Sequence, residues 1–370
     1  MLIPVKFCKL LILFVFLLIN VSQINAICQY HGHLLENEWR LILKYDNASL
    51  QLLRETTVQD GTVLYMVCNS NDIAEVTCEN GQFNPQLPLN EWCGNHMMPQ
   101  LKLENDRNLC GFNLYRVGYQ IQCKHGDYFF ETYKVCFDFE RKRAVFTINE
   151  AYPFVIPRPY GMRFDPDEIF TMNIFSAYNK RNIYAQFRKT LGDGQNFMPD
   201  NAGDQRIDRG HLTPVADYMT YTLIATTFKM INVIPQFHTI NDGNWKAMEE
   251  WARNPINTPA KVCSGAFSWV LQLPDTQGNL REMYLRGDMI PMPLWTYKIV
   301  LNCNGLRTVF LQYNNIHDKQ MPPQIPHGIC QEVGCPSNIY LAKSNYLGYT
   351  FCCDPEHFMA NSVPNLRGYC

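Results

Sequence analysis

One stretch of the chain, 208–249, collects side chains that together could hydrolyse a phosphate diester. A histidine can take a proton from water near neutral pH, an asparagine carbonyl can hold a hard metal ion, and an arginine can neutralise phosphate. The residues of this set are Asp208, Arg209, Gly210, His211, Asn232, Asn241 and Glu249. Their types and order predict a hydrolytic site.

His211 is the candidate general base, because a neutral imidazole can accept a proton from the water that attacks phosphorus. A single histidine is more often structural, and the Asp-Arg-Gly before His211 sets it apart from the other eight. Arg209 could pair with a non-bridging phosphate oxygen, or it could form a surface salt bridge with Asp208. We expect Gly210 to let the backbone turn tightly beside the site.

Asn241 offers a neutral oxygen ligand, and a site with one protein ligand and several waters suits Mg²⁺. The alternative role of Asn241 is a helix cap, and the two roles do not exclude each other. Glu249 could accept hydrogen bonds from waters around the metal, or it could be an exposed helix carboxylate. Asn232 is expected to hydrogen-bond the backbone around His211 and to fix its position.

The segment 241–253 is predicted to be a helix that begins with Asn241 or Asp242 as its N-cap and ends before a proline. Glu249 would then lie about 80° around the helix from Asn241 and two turns along it, so both could approach one cavity. The stripe expected to face the core consists of Trp245, Met248 and Ala252.

The N-terminus, 1–26, reads as a secretory signal peptide. Lys6 and Lys9 precede an apolar run, 10–19, and small or polar residues lead to Ala26. The apolar run is too short to span a bilayer, and no later window holds about 18 consecutive apolar residues. We therefore expect a secreted mature chain, beginning near Ile27, with no membrane partner.

Cysteine usage fits that compartment. Of the 15 cysteines, Cys8 lies in the signal, which leaves an even number and favours up to seven disulfides. Cys352 and Cys353 are adjacent, so we expect them to enter different bridges. The alternative is a zinc site built from Cys330, Cys335, Cys352 and Cys353. Asn47 begins the one sequon of the mature chain and would be glycosylated if it is exposed.

Two domains are expected after the signal. Residues 27–100 contain short apolar or alternating runs divided by turn residues, which predicts a small β-rich module. Its four cysteines could staple it internally, and they are Cys28, Cys68, Cys78 and Cys93. Strand patterns return from residue 101, and the range 101–370 is expected to form one large domain that carries the hydrolytic site.

The run 208–253 resembles the DNA/RNA non-specific endonuclease family, whose members have a ββα-metal active site. The match at 208–211 is to the family's DRGH signature, and Asn232 corresponds to the asparagine before its Pro-Gln. Asn241 corresponds to the metal-ligand asparagine and Glu249 to the glutamate eight residues later. Looser similarity extends over about 110–350, and the two cysteine-bearing ends resemble an arthropod branch of gut double-stranded-RNA nucleases and salivary nucleases.

The resemblance implies an α+β fold, with a ββα-metal nuclease domain around a central antiparallel sheet and the β-rich module in front of it. It also implies endonucleolytic cleavage of DNA and RNA that depends on Mg²⁺, or on Mn²⁺ in its place, and leaves 5′-phosphates. In this comparison His211 is the general base and Asn241 holds the metal. A family asparagine four residues before Asn232 is replaced by Phe228, which would lower turnover. A family arginine upstream of the signature has Arg188 as its best counterpart for substrate binding.

Composition alone does not indicate a nucleic-acid partner, because the net charge is −2. Any binding surface must be a local patch, for which the candidates are Lys180, Arg181, Arg188, Lys189, Arg206 and Arg209. Two other hypotheses stay open: a secreted nucleic-acid-binding protein of this fold with weak catalysis, and a structural or receptor-binding protein that works through its N-terminal module. The intact His211, Asn241 and Glu249 favour the enzyme. Nothing in the sequence indicates the oligomeric state.

Overall fold

The computed structural model describes residues 26–30, 38–46, 49–87, 89, 93–123, 126–153, 161–167, 169–170 and 173–370. The expected signal peptide, apart from Ala26, and the sequon at Asn47 lie outside the described residues. The chain divides into two compact units, 1–96 and 97–370.

The first unit is a small all-β module. Its strands are β1 Ile27–Gln29, β2 Leu41–Asp46, β3 Ser49–Leu52, β4 Thr57–Gln59, β5 Val63–Asn69, β6 Asp72–Glu79 and β7 Gln82–Asn84. Five strands form an antiparallel sheet in the order β3-β2-β5-β6-β7, and β1 pairs with β4. Disulfides Cys28–Cys78 and Cys68–Cys93 both close within the module. Internal stapling by these four cysteines is thus confirmed.

The second unit is built on a large sheet. Its strands are β8 Gln100–Glu104, β9 Asn113–Cys123, β10 Gly126–Asp138, β11 Arg143–Ala151, β12 Ile207–His211, β13 Val233–Phe237, β14 Ala260–Ala266, β15 Gln272–Pro274, β16 Leu280–Glu282, β17 Tyr284–Arg286, β18 Met289–Pro291, β19 Trp295–Leu301, β20 Arg307–Tyr313, β21 Glu332–Val333 and β22 Thr350–Cys353. Nine of them form one antiparallel sheet in the order β21-β22-β20-β19-β14-β11-β10-β9-β8. The other six form the pairs β12-β13, β15-β16 and β17-β18.

Short helices surround this sheet. The α-helices among the described residues are α1 Ile174–Ala177, α2 Lys180–Leu191, α3 Tyr221–Thr227, α4 His238–Ile240, α5 Lys246–Ala252 and α6 Pro355–Asn361. A π-helical turn, Asn241–Trp245, joins α4 to α5. None of the helices in the described part of the chain is long and apolar enough to cross a membrane.

The core lies on both faces of the large sheet, because successive strand residues point to opposite sides. In β19, Ile299 packs in one buried cluster and its neighbour Val300 packs in another. The cluster around Val300 contains Trp245, Met248 and Ala252, which are 1%, 0% and 2% exposed. The predicted core-facing stripe is therefore confirmed, and it seats α5 against the centre of the sheet.

Four further disulfides stabilise the second unit, and they are Cys110–Cys136, Cys263–Cys370, Cys330–Cys353 and Cys335–Cys352. Cys352 and Cys353 enter different bridges, as expected. The zinc alternative is wrong, because all four of its proposed ligands are oxidised in pairs. Among the side chains that the structure describes, six bridges form and Cys303 is free and exposed, so the upper count of seven is not reached there. The architecture confirms the predicted α+β class, with a central antiparallel sheet in the unit that follows the β-rich module in the chain.

Candidate active site

The site is built on a strand pair followed at once by a helix. β12 and β13 pair antiparallel, with His211 opposite Val233, and the chain passes from β13 directly into α4. The predicted helix start at Asn241 is wrong, because the helix begins at His238, whose backbone N–H donates to the carbonyl of Arg206 at 2.9 Å. Asn241 has helical angles, φ −61° and ψ −45°, so it is not an N-cap.

A kink separates the two halves of this helix. Gly243 has non-helical angles, φ −95° and ψ −122°. A Cβ on Gly243 would lie 2.8 Å from the carbonyl oxygen of Leu347, so only glycine allows this close approach. The next residue, Asn244, donates to the carbonyls of Ala342 and Gly348 at 2.9 and 2.7 Å and accepts from the Ala342 N–H at 2.8 Å. A loop about one hundred residues downstream thus holds the kink.

A cavity of about 630 Å³ opens where the strand pair meets this helix. Its walls bring together His211 from β12, Asn241 from the π-helical turn, and Glu249 from α5. Arg253, one residue beyond α5, lines the same cavity. The straight helix assumed from the sequence does not exist, yet both Asn241 and Glu249 reach one cavity, as the spacing predicted.

His211 is held between aromatic rings. Its ring lies 5.1 Å from that of Phe164 and 5.5 Å from that of Phe228, measured between centroids. The indole N–H of Trp245 donates to the His211 backbone carbonyl at 3.2 Å. Phe228, which replaces the family asparagine, is 2% exposed and so contributes an apolar wall beside the imidazole. These contacts fix the orientation of the His211 ring.

Asn232 is fully buried and serves the loop after His211. Its side-chain oxygen accepts from the Thr213 N–H, and its amide nitrogen donates to the carbonyls of Thr213 and Thr227, each at 2.9 Å. Its own carbonyl accepts from the Leu212 N–H at 2.9 Å. Asn232 therefore acts on the backbone that carries the histidine, and it does not line the cavity.

Asp208 hydrogen-bonds the side chain of Asn241, the candidate metal ligand. One carboxylate oxygen, Oδ2, receives the Asn241 amide N–H at 3.3 Å and contacts His238 Nδ1 at 2.7 Å. The other, Oδ1, pairs with Arg206 Nε at 3.3 Å. Because the amide nitrogen of Asn241 faces Asp208, its carbonyl oxygen is directed to the other side of the carboxamide. The oxygen is thus not used in the contact with Asp208, and a cation ligand would need it.

The proposed salt bridge between Arg209 and Asp208 is replaced by other contacts. The Arg209 guanidinium lies over the rings of Phe164, Phe175 and Tyr178, at 5.4, 6.0 and 5.1 Å. Burial in this aromatic box lowers the pKa of Arg209. Arg209 does not line the cavity.

Arg188 and Gly210 also differ from expectation. Arg188 is exposed on α2, where it pairs with Asp193 at 2.6 Å, and it does not line the cavity. Gly210 lies within β12 and makes no turn. A Cβ on Gly210 would lie 2.5 Å from the side-chain oxygen of Gln236, so the glycine is needed for close packing of β13.

Glu249 is partly buried in the cavity wall and is not a solvated helix carboxylate. Burial raises its pKa to about 7, against the opposing effect of the Lys298 and Arg253 cations and of a hydrogen bond from Trp245. A carboxyl group in this state can hold or release a proton near neutral pH.

A buried charge network behind the cavity was missed in the sequence. Arg253 donates to Asp217 at 3.2 Å, and Asp217 also accepts from the Asn149 amide at 2.7 Å. The sequence does carry a signal for Arg253, because it follows Glu249 by four residues and so shares its helix face. Asp217 and Asn149 carry none, since their partners are distant in the chain.

The donor set fits a hard cation. Among the described residues, no three His, Cys, Asp or Glu side chains cluster as a metal site. A cation here would therefore be held by the Asn241 oxygen with water in its other positions, and Glu249 stands on the same cavity wall to accept hydrogen bonds from that water. Mg²⁺ suits this arrangement because it keeps most of its water.

Comparison with known proteins places the site in a family. The family model for DNA/RNA non-specific endonuclease matches residues 110–358, more than half of the chain. The chain is 26% identical over 306 residues to the salivary endonuclease of Lutzomyia longipalpis, covering 80% of this chain and 68% of that protein. It is 27% identical over 191 residues to salivary protein Tsal1 of Glossina morsitans morsitans, covering 49% and 45%. It is 22% identical over 175 residues to mitochondrial endonuclease G of Bos taurus, covering 46% and 52%.

The strand pair that carries His211 and the helix that carries Asn241 follow each other in ββα order. The chain belongs to the DNA/RNA non-specific endonuclease family, and it is a nuclease. It spans 68% of the Lutzomyia longipalpis protein and about half the length of the Glossina morsitans morsitans and Bos taurus relatives.

Proposed function

We propose that the protein is a secreted, Mg²⁺-dependent endonuclease that hydrolyses the phosphodiester bonds of DNA and RNA and leaves 5′-phosphates. The observation that carries the proposal is the cavity that His211, Asn241 and Glu249 line together, with the Asn241 amide nitrogen bonded to Asp208. Mn²⁺ is the expected substitute for Mg²⁺. When bound, the cation supplies positive charge where the phosphate gains negative charge.

The residues of the chain supply the rest of the chemistry. An imidazole nitrogen of His211 accepts the proton of the attacking water, and the rings of Phe164 and Phe228 keep the imidazole in place. Arg253 brings a fixed cation to the cavity, where it faces the phosphate. Asp208 and Asn232 position the Asn241 amide and the loop after His211 without touching the substrate.

Neither Arg209 nor Arg188 lines the cavity, so any phosphate that either of them binds lies beyond the scissile bond. Arg188 belongs to α2, which carries four cations and no acidic residue over Lys180–Leu191. Phosphate contacts carry no base information, so a site of this kind cuts without sequence preference. Its affinity falls as salt rises.

Secretion is supported by three features. The N-terminal sequence has the order of a signal peptide, six disulfides form among the described residues, and two of the relatives are salivary proteins by name. N-terminal sequencing of protein secreted by insect cells tests this, since cleavage should leave Ile27 first.

The experiment that tests the activity is digestion of duplex DNA and duplex RNA with Mg²⁺, Mn²⁺ or EDTA. His211→Ala should lower cleavage by about 10² to 10⁴-fold, while the exposed His327→Ala serves as a matched control and should cut normally. Phosphatase treatment and end-labelling identify 5′-phosphate products. Absence of cleavage under every metal would refute the proposal.

A second candidate is a nucleic-acid binder with weak catalysis. Phe228 favours it, because an apolar ring stands beside His211 where the family has an asparagine. A gel shift of His211→Ala on the same substrates separates the two. Binding by wild type without cutting establishes the binder, and cutting that depends on His211 establishes the enzyme.

A further inference from the structure

Lys298 is a buried lysine in the centre of the large sheet, and the reaction described above does not use it. It lies in β19, between Tyr297 and Ile299, and is 1% exposed. Lysine is almost never fully buried unless its charge is paired. Burial lowers the pKa of its ammonium group, while nearby carboxylates favour the charged form.

Two contacts of Lys298 lead toward the site. Its Nζ donates to the Ser264 hydroxyl at 2.5 Å, across the register of β14 and β19. The same Nζ lies 4.4 Å from the ring centroid of Trp245, a cation–π contact. Trp245 in turn contacts two residues of the cavity. Its indole N–H donates to the His211 carbonyl, and its side chain also hydrogen-bonds the carboxylate of Glu249. A single indole ring therefore stands between Lys298 and two residues of the cavity.

The charges around Lys298 are balanced only when it is included. Its charged neighbours are Asp217, Glu249 and Arg253. With Lys298, two cations face two carboxylates; without it, one cation faces two. An uncompensated buried charge is strongly unfavourable, so the remaining carboxylates would have to take up a proton or move.

We propose that Lys298 is a positioning residue of the nuclease reaction, which holds the Trp245 indole against His211 and supplies the buried positive charge that balances Glu249 and Asp217. It touches neither substrate nor metal. The inference rests on the proposed nuclease function and extends it to a buried residue of the large sheet that does not line the cavity.

The test replaces Lys298 with methionine, which keeps the length of the side chain and removes the charge. The matched control is Lys229→Met, because Lys229 is also 1% exposed and pairs with Asp165 and Asp167 at 2.7 and 2.5 Å. For each variant, kcat and KM on duplex DNA are measured together with the thermal midpoint. We expect Lys298→Met to lose at least 30-fold in kcat with KM within threefold of wild type. Lys229→Met should lose at least as much thermal stability and keep kcat within threefold.

Two further variants cover the case in which Lys298→Met fails to fold. Lys298→Arg keeps a cation and should retain at least ten times the kcat of the methionine variant, or be active where that variant is insoluble. Ser264→Ala removes one contact of the ammonium group and should lower kcat severalfold at unchanged KM.

A folded Lys298→Met enzyme with kcat within threefold of wild type overturns the inference. So does a loss of kcat that follows thermal stability equally in Lys298→Met and Lys229→Met, or an unchanged kcat in Ser264→Ala. Wild-type protein assayed in parallel distinguishes failure of the nuclease proposal from failure of the positioning role. An inactive wild type refutes the nuclease proposal itself, whereas an active wild type with an active Lys298→Met refutes the positioning role alone.

Discussion

Removing the Asp208 carboxylate should weaken metal binding without a change in any metal ligand. In Asp208→Ala the amide N–H of Asn241 loses its acceptor, and the carboxamide can rotate so that its nitrogen faces the cation. A hydrogen bond to a charged acceptor is worth about 1.5 to 3 kcal/mol. The contact is 3.3 Å long, so the lower value applies. The dissociation constant should therefore rise about tenfold, since 1.4 kcal/mol corresponds to a factor of ten.

Binding of Mn²⁺, followed by its electron paramagnetic resonance signal, measures this constant independently of catalysis. Arg206→Ala is the matched control, because Arg206 pairs with the other oxygen of the same carboxylate and is about one-third exposed. An ion pair of that exposure contributes at most about 1 kcal/mol, so Mn²⁺ affinity should change less than fivefold. Unaltered affinity in folded Asp208→Ala would refute the orienting role. Equal weakening in both variants would show that the carboxylate acts only through general structure.

Three other predictions concern packing, pH and covalent links. Gly210→Ala places a methyl group 2.5 Å from the side-chain oxygen of Gln236. Urea unfolding should therefore show that the free energy of unfolding falls by about 1 to 3 kcal/mol. An unchanged midpoint would mean that β13 accommodates the methyl group without cost. Burial lowers the pKa of His317 to about 4, below the value of about 6.5 in an unfolded chain. As the pH falls, His317 therefore takes up its proton in the unfolded state first. Its contribution to the free energy of unfolding is complete above pH 6.5, and about 2 kcal/mol of it is lost by pH 5. In the variant His317→Gln, the free energy of unfolding should fall correspondingly less between pH 6.5 and pH 5. Replacing the Cys263–Cys370 pair by serines should cost more stability than replacing the Cys335–Cys352 pair, because the bridges span 107 and 17 residues, and the expected difference in unfolding free energy is about 1.5 kcal/mol.

The parts of the site that lie close together in sequence could be predicted from the sequence. The run 208–211, the spacing from Asn241 to Glu249, and the buried stripe through Trp245 all depend on one strand and one helix. Strand alternation and helix periodicity are local properties, and they survive the kink because the helix axis bends without losing its buried side.

The remainder depends on contacts between distant segments. At the kink, Gly243 packs closely against the backbone of Leu347. The residues 238–245 alone do not predict this contact. The helix starts at His238 because its N–H finds the carbonyl of Arg206, a partner on the neighbouring strand. The contact between Trp245 and Lys298 likewise joins a helix to a strand some fifty residues later. Disulfide pairing belongs to the same class, since spacing alone allows many connectivities.

The hydrogen bonds from Asn244 to the carbonyls of Ala342 and Gly348, here called the clamp, have a consequence for biosynthesis. The carbonyls of Ala342 and Gly348 that fix Asn244 belong to a segment made about one hundred residues after it. A nascent chain that already displays the DRGH run has neither this clamp nor the bridge that Cys370 forms with β14. Cleavage competence should therefore arrive only after the segment 342–348 has been made, so a growing chain that ends before this segment is not yet a finished nuclease.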